Sequence, residues 1–304
     1  MTSSQVRLAA FPKCYMDELT IQRSLSLFQW IEMASDLPVD GLELYDGFFP
    51  RFDQDYVAKV RSALASHHLQ MPMLCFSPDF TQPDPERRQA EVARQRRMID
   101  LVAAFDCPEP RTCRVLSGQR RPDVGVDQGV AWVVECLQQL LPYAAEQRVI
   151  LAMENHYKDN YWRHPEFAQH LPVLRRIVDQ IDSPWFGINF DPSNAILAGE
   201  DPLEVLDALK ERVVSMHASD RFIRPGHTLA ELRRQEDSTG YASILQHGEV
   251  GKGLNDYDTI FKTLATAGFR GWVSIEDGMN GIDELRRSAQ FLRRKIAACF
   301  GGAE

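Results

Sequence analysis

Eight short apolar runs alternate with eight longer amphipathic stretches, and an acidic residue or a histidine closes each of the last four runs. Together these predict an α/β chain folded as a single (β/α)8 TIM barrel. A length of 304 residues suits one such barrel over 1–304, since the fold takes about 250 residues and more with insertions.

The first predicted strand is Val6 to Phe11, followed by a helix over Ser24 to Ala34. The second strand, Gly41 to Tyr45, leads into a helix over Gln54 to Ser66, and the third, Met71 to Phe76, into one over Glu86 to Phe105. Asp84 before Pro85 marks the start of that helix, because proline tolerates the first turn and aspartate caps it. Its basic run from Arg87 to Arg97 is interleaved with Glu91, as on the solvated side of a helix. Cys113 to Ser117 and Asp127 to Glu146 form the fourth pair, and Val149 to Glu154 and Pro165 to Ile181 the fifth, with His164 before Pro165 as the start signal. The sixth pair is Trp185 to Asp191 and Pro202 to Glu211, opened by Asp201. Val213 to His217 is the seventh strand; its helix, Tyr257 to Ala267, has Asp256 to cap it and Gly268 to close it. Trp272 to Glu276 and Gly281 to Ala298 complete the series. The long interval 221–253, between strand 7 and helix 7, reads as a substrate-covering insertion.

Composition excludes several classes of function. The formal charge of −9 repels polyanions, so no nucleic-acid partner is expected. No apolar run approaches membrane-spanning length, and the six cysteines form no CxxC pair. A protein of a reducing, cytoplasmic compartment that acts on a small molecule is the expectation.

Glu154 in "VILAMENH", Asp191 in "FGINFDPSN", His217 in "VVSMHASD" and Glu276 in "GWVSIEDG" each stand where a buried parallel strand emerges, on the rim where barrels place chemistry. An open sheet would string four neighbouring strand ends over roughly 14 Å, whereas a closed one can turn them toward one ion. Three carboxylates and an imidazole are hard donors that suit Mn²⁺ or Mg²⁺, with Co²⁺ or Zn²⁺ as alternatives.

With "VDGLELYDG", "MENH", "FDPSN", "MHASD" and "GKGLNDY" ahead of "GWVSIE", in that order and spacing, nearly the whole chain resembles the sugar phosphate isomerase/epimerase family of xylose-isomerase-like barrels. The resemblance implies that Glu154, Asp191, His217 and Glu276 are metal ligands, that Glu154 and Glu276 are an acid/base pair, and that the protein is a dimer or tetramer. The chain departs from the family's ketose 3-epimerases at Asn194 and Asn160, where those enzymes carry histidine and glutamate.

The chemistry expected is isomerisation or epimerisation of a sugar or keto-sugar through an enediolate. His156, two residues beyond Glu154, could serve as a further acid or base, which opens a lyase alternative in which the same carbanion expels a β-substituent. Glu43, Tyr45, Asn194, Asp220, Arg221 and Trp162 are the candidate substrate-binding residues. An endonuclease-IV-like nuclease would need further histidines, but Asn194, Ala230 and Leu232 stand at the positions concerned. "GKG" at 251–253 lacks the rest of a phosphate loop and reads as a tight turn.

Overall fold

The computed structural model describes residues 6–105, 107, 110–159, 161–234, 244–276 and 279–301. In chain order the elements are β1 (Arg7–Ala10), α1 (Met16–Thr20), α2 (Leu27–Ala34), β2 (Gly41–Leu42), β3 (Leu44–Tyr45), α3 (Gln54–Ser66), β4 (Met73–Cys75), α4 (Pro85–Ala104), β5 (Thr112–Val115), α5 (Val126–Glu146) and β6 (Ile150–Glu154). They continue with α6 (Leu171–Val178), β7 (Phe186–Phe190), α7 (Pro192–Leu197), α8 (Pro202–Leu209), β8 (Val213–Ala218), β9 (Arg221–Ile223), α9 (Leu229–Arg234), β10 (Leu245–His247), α10 (Tyr257–Thr266), β11 (Trp272–Ile275) and α11 (Ile282–Phe300). None of the described helices is long and apolar enough to cross a membrane.

Nine parallel strands form one sheet in the order β2-β1-β11-β8-β7-β6-β5-β4-β3. Its two end strands are halves of one segment, broken at Glu43. β2 pairs with β1 through Ala9 and Gly41, while β3 pairs with β4 through Leu44 and Leu74, so the sheet curls into a nearly closed barrel of eight strand positions. Across the break, the Glu43 amide donates to Ala10 O (3.0 Å) and the Leu42 amide to Gln70 O (2.8 Å).

Side chains alternate across the barrel wall. Leu8, Leu42, Leu74, Val115, Leu151, Met153, Ile188, Met216 and Val273 belong to the main apolar core, where the helices cover the sheet. The alternate positions carry a small apolar cluster of Met73, Cys75 and Ala152, polar groups such as Asn189, Ser215 and Ser274, and toward the strand ends Glu43, Arg114, Glu154, His217 and Glu276; all are buried.

Helix starts follow the caps. Asp84, Asp201 and Asp256 accept hydrogen bonds from the first turns of α4, α8 and α10, and Gly268 (φ +77°) ends α10. The His164–Pro165 signal fails: the fifth helix begins at Leu171. The backbone of 165–167 is spent on another task, pairing with the loop after β5 through Arg120 N to Pro165 O (2.8 Å) and Phe167 N to Gly118 O (2.7 Å). This strap carries Glu166 inward, where it is fully buried.

The insertion after the seventh strand position holds the antiparallel pair β9–β10 and the short α9; residues 235–243 of it lie outside the described residues. Leu232, Ile244 and Leu245 pack with Tyr157, Ile196 and Leu197 in a small separate core, which ties the insertion to the loop after β6 and to α7.

Gly41 stands at the seam, where a Cβ would lie 2.5 Å from the Gln70 carbonyl oxygen, a backbone atom held by the hydrogen bond from the Leu42 amide. Gly41→Ala should therefore destabilise the protein by about 1–3 kcal/mol. The denaturant midpoint reads this, and an unchanged midpoint would mean that the seam gives way without cost.

Candidate active site

His217, on β8, is the hub of the site. Its Nε2 lies 2.9 Å from Glu43 Oε1, and its Nδ1 lies 3.2 Å from Glu154 Oε1 and 3.1 Å from Glu276 Oε2. The ring is wholly buried. Burial alone would lower the pKa of His217, but Glu43, Glu154 and Glu276 outweigh it and hold the pKa well above the ordinary histidine value.

Each carboxylate reaches this point from its own strand end. The inward side of β6 delivers Glu154, which accepts from Arg114 Nη1 (2.8 Å) and from Asn194 Nδ2 (3.0 Å). Burial pushes its pKa up, yet His217, Arg114 and His156 prevail and bring it to about 2. Asp191 follows β7, whose register against β8 slips between Ile188 and Asn189. It caps α7, accepting from the amides of Ser193 (2.7 Å) and Asn194 (3.1 Å) and from Ser219 Oγ (2.7 Å). Burial, then Glu276 and Glu154, push its pKa up to about 6. Glu276 ends the β11 segment beside Lys13 Nζ (3.4 Å); burial opposes its ionisation, but Lys13 and His217 hold its pKa well below the usual range.

One ligand atom from each of Glu154, Asp191, His217 and Glu276 lies within 4.8 Å of the others. Three buried carboxylates this close repel one another unless a cation stands among them. The imidazole points Nδ1 at the same place while Glu43 takes the opposite nitrogen, the carboxylate–histidine arrangement that fixes a metal-binding tautomer. These residues fit a divalent metal ion.

A cleft of about 430 Å³ opens above the cluster, lined by Phe11, Lys13, Tyr45, Arg114, His156, Tyr161, His247 and Glu276 among others. Of the predicted substrate-binding residues, Tyr45 faces this cleft. Glu43 does not: it is sealed behind His217 and accepts from Cys75 Sγ (2.7 Å). Asn194 is buried against Glu154, and Asp220 gives its carboxylate to the insertion, accepting from the amides of Gly251 (2.9 Å), Gly253 (2.9 Å), Arg221 (3.0 Å) and Asn255 (3.2 Å). The "GKG" turn is thus folded around Asp220. Arg221 is buried, with Nη1 donating to Asp220 O (2.9 Å). Half-buried Trp162 lies outside the cleft lining, and Asn160 lies outside the described residues.

Sequence reasoning missed Arg114, Lys13 and the role of Glu43. Arg114 did leave a signal: a charged residue in the middle of the apolar strand "TCRVL" must point into the barrel, because Cys113 and Val115 face the helices.

A family model described as a xylose isomerase-like TIM barrel matches residues 31–295. The 3-oxo-isoapionate decarboxylase of Pectobacterium atrosepticum is 38% identical over 90 residues, 29% of this chain and 28% of that protein. An inosose dehydratase of Clostridium botulinum is 22% identical over 250 residues, covering 79% of this chain and 82% of its own. Other curated relatives, the inosose dehydratases of Bacillus thuringiensis and Bacillus cereus, are matched over 44% of their length. Among solved structures, the probable 3-DHS dehydratase of Bacillus anthracis superposes with a TM-score of 0.71 at 16% identity, over 95% of this chain and 99% of that one, a likeness of fold.

Divalent cation at a hundredfold its Kd should stabilise the protein by about 2.7 kcal/mol, an effect that Asp191→Asn abolishes in thermal melts. Glu43→Gln should weaken cation binding by about 10–100-fold in calorimetry, and undiminished affinity would remove Glu43 from its supporting role. The raised pKa of Asp191 sets the sign of the pH dependence: below about 6 its carboxyl holds a proton that the cation must displace, so affinity falls as pH drops through that value.

Proposed function

The chain belongs to the xylose isomerase-like TIM barrel family, and from that premise we propose that it is a divalent-metal-dependent enzyme acting on a keto-sugar or a related cyclic polyol ketone. The reaction begins with removal of a proton from the carbon beside the carbonyl and ends, in the reading the geometry favours, in loss of a β-substituent. The bound cation, Mn²⁺ or Mg²⁺ by the hardness of its donors, with Co²⁺ or Zn²⁺ as alternatives, supplies electrophilic stabilisation of the negative charge that develops on the substrate oxygens.

One observation carries this reading: Glu276 and His156 line the cleft, whereas Glu154 lies beneath it with its oxygens taken by Arg114, Asn194 and His217. Two groups of unlike chemistry therefore face the substrate. Glu276, kept ionised by Lys13 and His217, can accept the proton from carbon. Burial lowers the pKa of His156, but Glu154 and Glu166 outweigh it, so the ring is held protonated further up the pH scale and can deliver a proton to a departing oxygen. Elimination of a β-substituent can use this pairing, and the name of the inosose dehydratase relatives supports it. Tyr45 and His247, at the cleft wall, are suited to hydroxyl recognition.

The isomerase or epimerase reading has its own support. Glu154 and Glu276 reach His217 Nδ1 from two different strands, at 3.2 and 3.1 Å, so a substrate seated deeply enough would meet both carboxylates. In that case His156 is dispensable.

We further read the protein as residing in the cytoplasm, where the thiols of Cys14, Cys75, Cys113, Cys136 and Cys299 stay reduced. Its partners are small sugars, with a homodimer or homotetramer as the assembly.

The test is a screen of Mn²⁺-loaded protein against keto-sugars, inososes and 3-keto-glycosides in D₂O, followed by NMR. Deuterium entering beside the carbonyl is expected, and no exchange across the panel would overturn both readings. Growth of an enone absorbance selects the lyase. His156→Gln should then lower kcat by about 10²–10⁴-fold, whereas an epimerase would keep its rate. Glu276→Gln should abolish turnover with the fold intact under either reading, and retained activity would take Glu276 out of the mechanism.

A further inference from the structure

We propose that Glu166 is the positioning residue for His156, holding the neutral ring in the tautomer that carries its proton on Nδ1, so that Nε2 is the nitrogen that exchanges a proton with the substrate. This deepens the assignment of His156 as an acid/base group and rests on it.

The argument begins with an imbalance in a buried carboxylate. Glu166 has no exposure, and its two oxygens are treated differently. Oε1 accepts from the Ser117 amide (2.6 Å) and from the Ser117 hydroxyl. Oε2 has no hydrogen-bond partner among the described residues, a costly state for a carboxylate oxygen shut away from water. The group it faces is His156 Nδ1, 3.8 Å away, which is also buried and also without a hydrogen bond. That gap exceeds a hydrogen bond by less than 1 Å, so a small rotation of either side chain closes it.

The other carboxylate near His156 is Glu154, and it is already committed to Arg114, Asn194 and His217. Glu166 alone of the two has an oxygen to offer. The backbone enforces the placement. Residues 165–167 leave the helical path predicted for them, Glu166 N donates to Tyr157 O (2.9 Å), and Glu166 bridges Gln119. The strap thereby ties the loops after β5 and β6 together and presses one charge against the back of the ring whose front lines the cleft. A carboxylate accepts and cannot donate, so it selects the Nδ1–H form; Nε2 then gives or takes the proton while Nδ1 keeps its own.

The experiment is ¹⁵N NMR of the full-length, ¹⁵N-histidine-labelled protein without substrate, with the His156 signals assigned by their loss in His156→Gln and read at a pH where the ring is neutral. Wild type should show a pyrrole-type Nδ1 and a pyridine-type Nε2. In Glu166→Gln the carbonyl oxygen can still accept from Ser117 while the amide NH₂ donates to Nδ1, so the pattern should reverse with little change in melting temperature. If the screen yields a substrate, the same variant should lose about 10–100-fold in kcat with KM within twofold, and Glu166→Asp should recover part of it. An Nε2–H form in wild type, or the same tautomer in both proteins, overturns the proposal. The wild-type spectrum decides even if Glu166→Gln does not fold, and because it needs no turnover it stands apart from the outcome of the substrate screen.

Discussion

Burying four carboxylates at one end of a barrel is the constraint around which this protein is built. Glu43, Glu154 and Asp191 are shut from solvent and Glu276 shows only an edge to the cleft, and each would be expelled or neutralised if it stood alone. Countercharge is arranged in a ring: His217 between Glu43 on one side and Glu154 and Glu276 on the other, Arg114 on Glu154, and Lys13 on Glu276. Backbone amides and Ser219 hold Asp191. His217 is the partner shared by three of the carboxylates, and removing it would leave buried charge uncompensated, which costs about 3–5 kcal/mol where it has been measured in other proteins. Below the cluster the barrel interior mixes polar side chains, Asn189, Ser215 and Ser274, with a small apolar group of Met73, Cys75 and Ala152.

Much of this was legible in the residues. Each strand announces itself as an apolar run because its outward side chains meet helices, and the four rim residues stand out because they end such runs. The aspartate-plus-proline starts of α4 and α8 worked because cap and first turn are local chemistry. His164 and Pro165 failed for a reason no local signal carries, namely that the backbone there pairs with a loop 45 residues earlier in the chain (Arg120 with Pro165). Tertiary pairing overrode propensity.

The side chains around the ligands divided in the same way. Alternation along the second strand placed Glu43 and Tyr45 on one side, as they are, yet depth separates them: Tyr45 reaches the cleft and Glu43 stops behind His217. Period-two reasoning gives the face of a sheet and says nothing of distance from its mouth. Asn194 and Asp220 were marked because they follow ligands closely, and both turn out to have buried partners, Glu154 for the first and the backbone of the insertion for the second. Nearness in sequence put them near the chemistry without telling what they grip.

The contact between Glu43 and His217 spans the barrel like a strut, from the broken second strand to a wall three places round the ring. A tube braced across its bore cannot flare at the rim without tearing that contact. The insertion lies apart from that brace, its small core of Tyr157, Ile196, Leu197, Leu232, Ile244 and Leu245 fastening it to the loop after β6 and to α7. The width of the mouth is therefore tied to the same contact that orients the His217 imidazole.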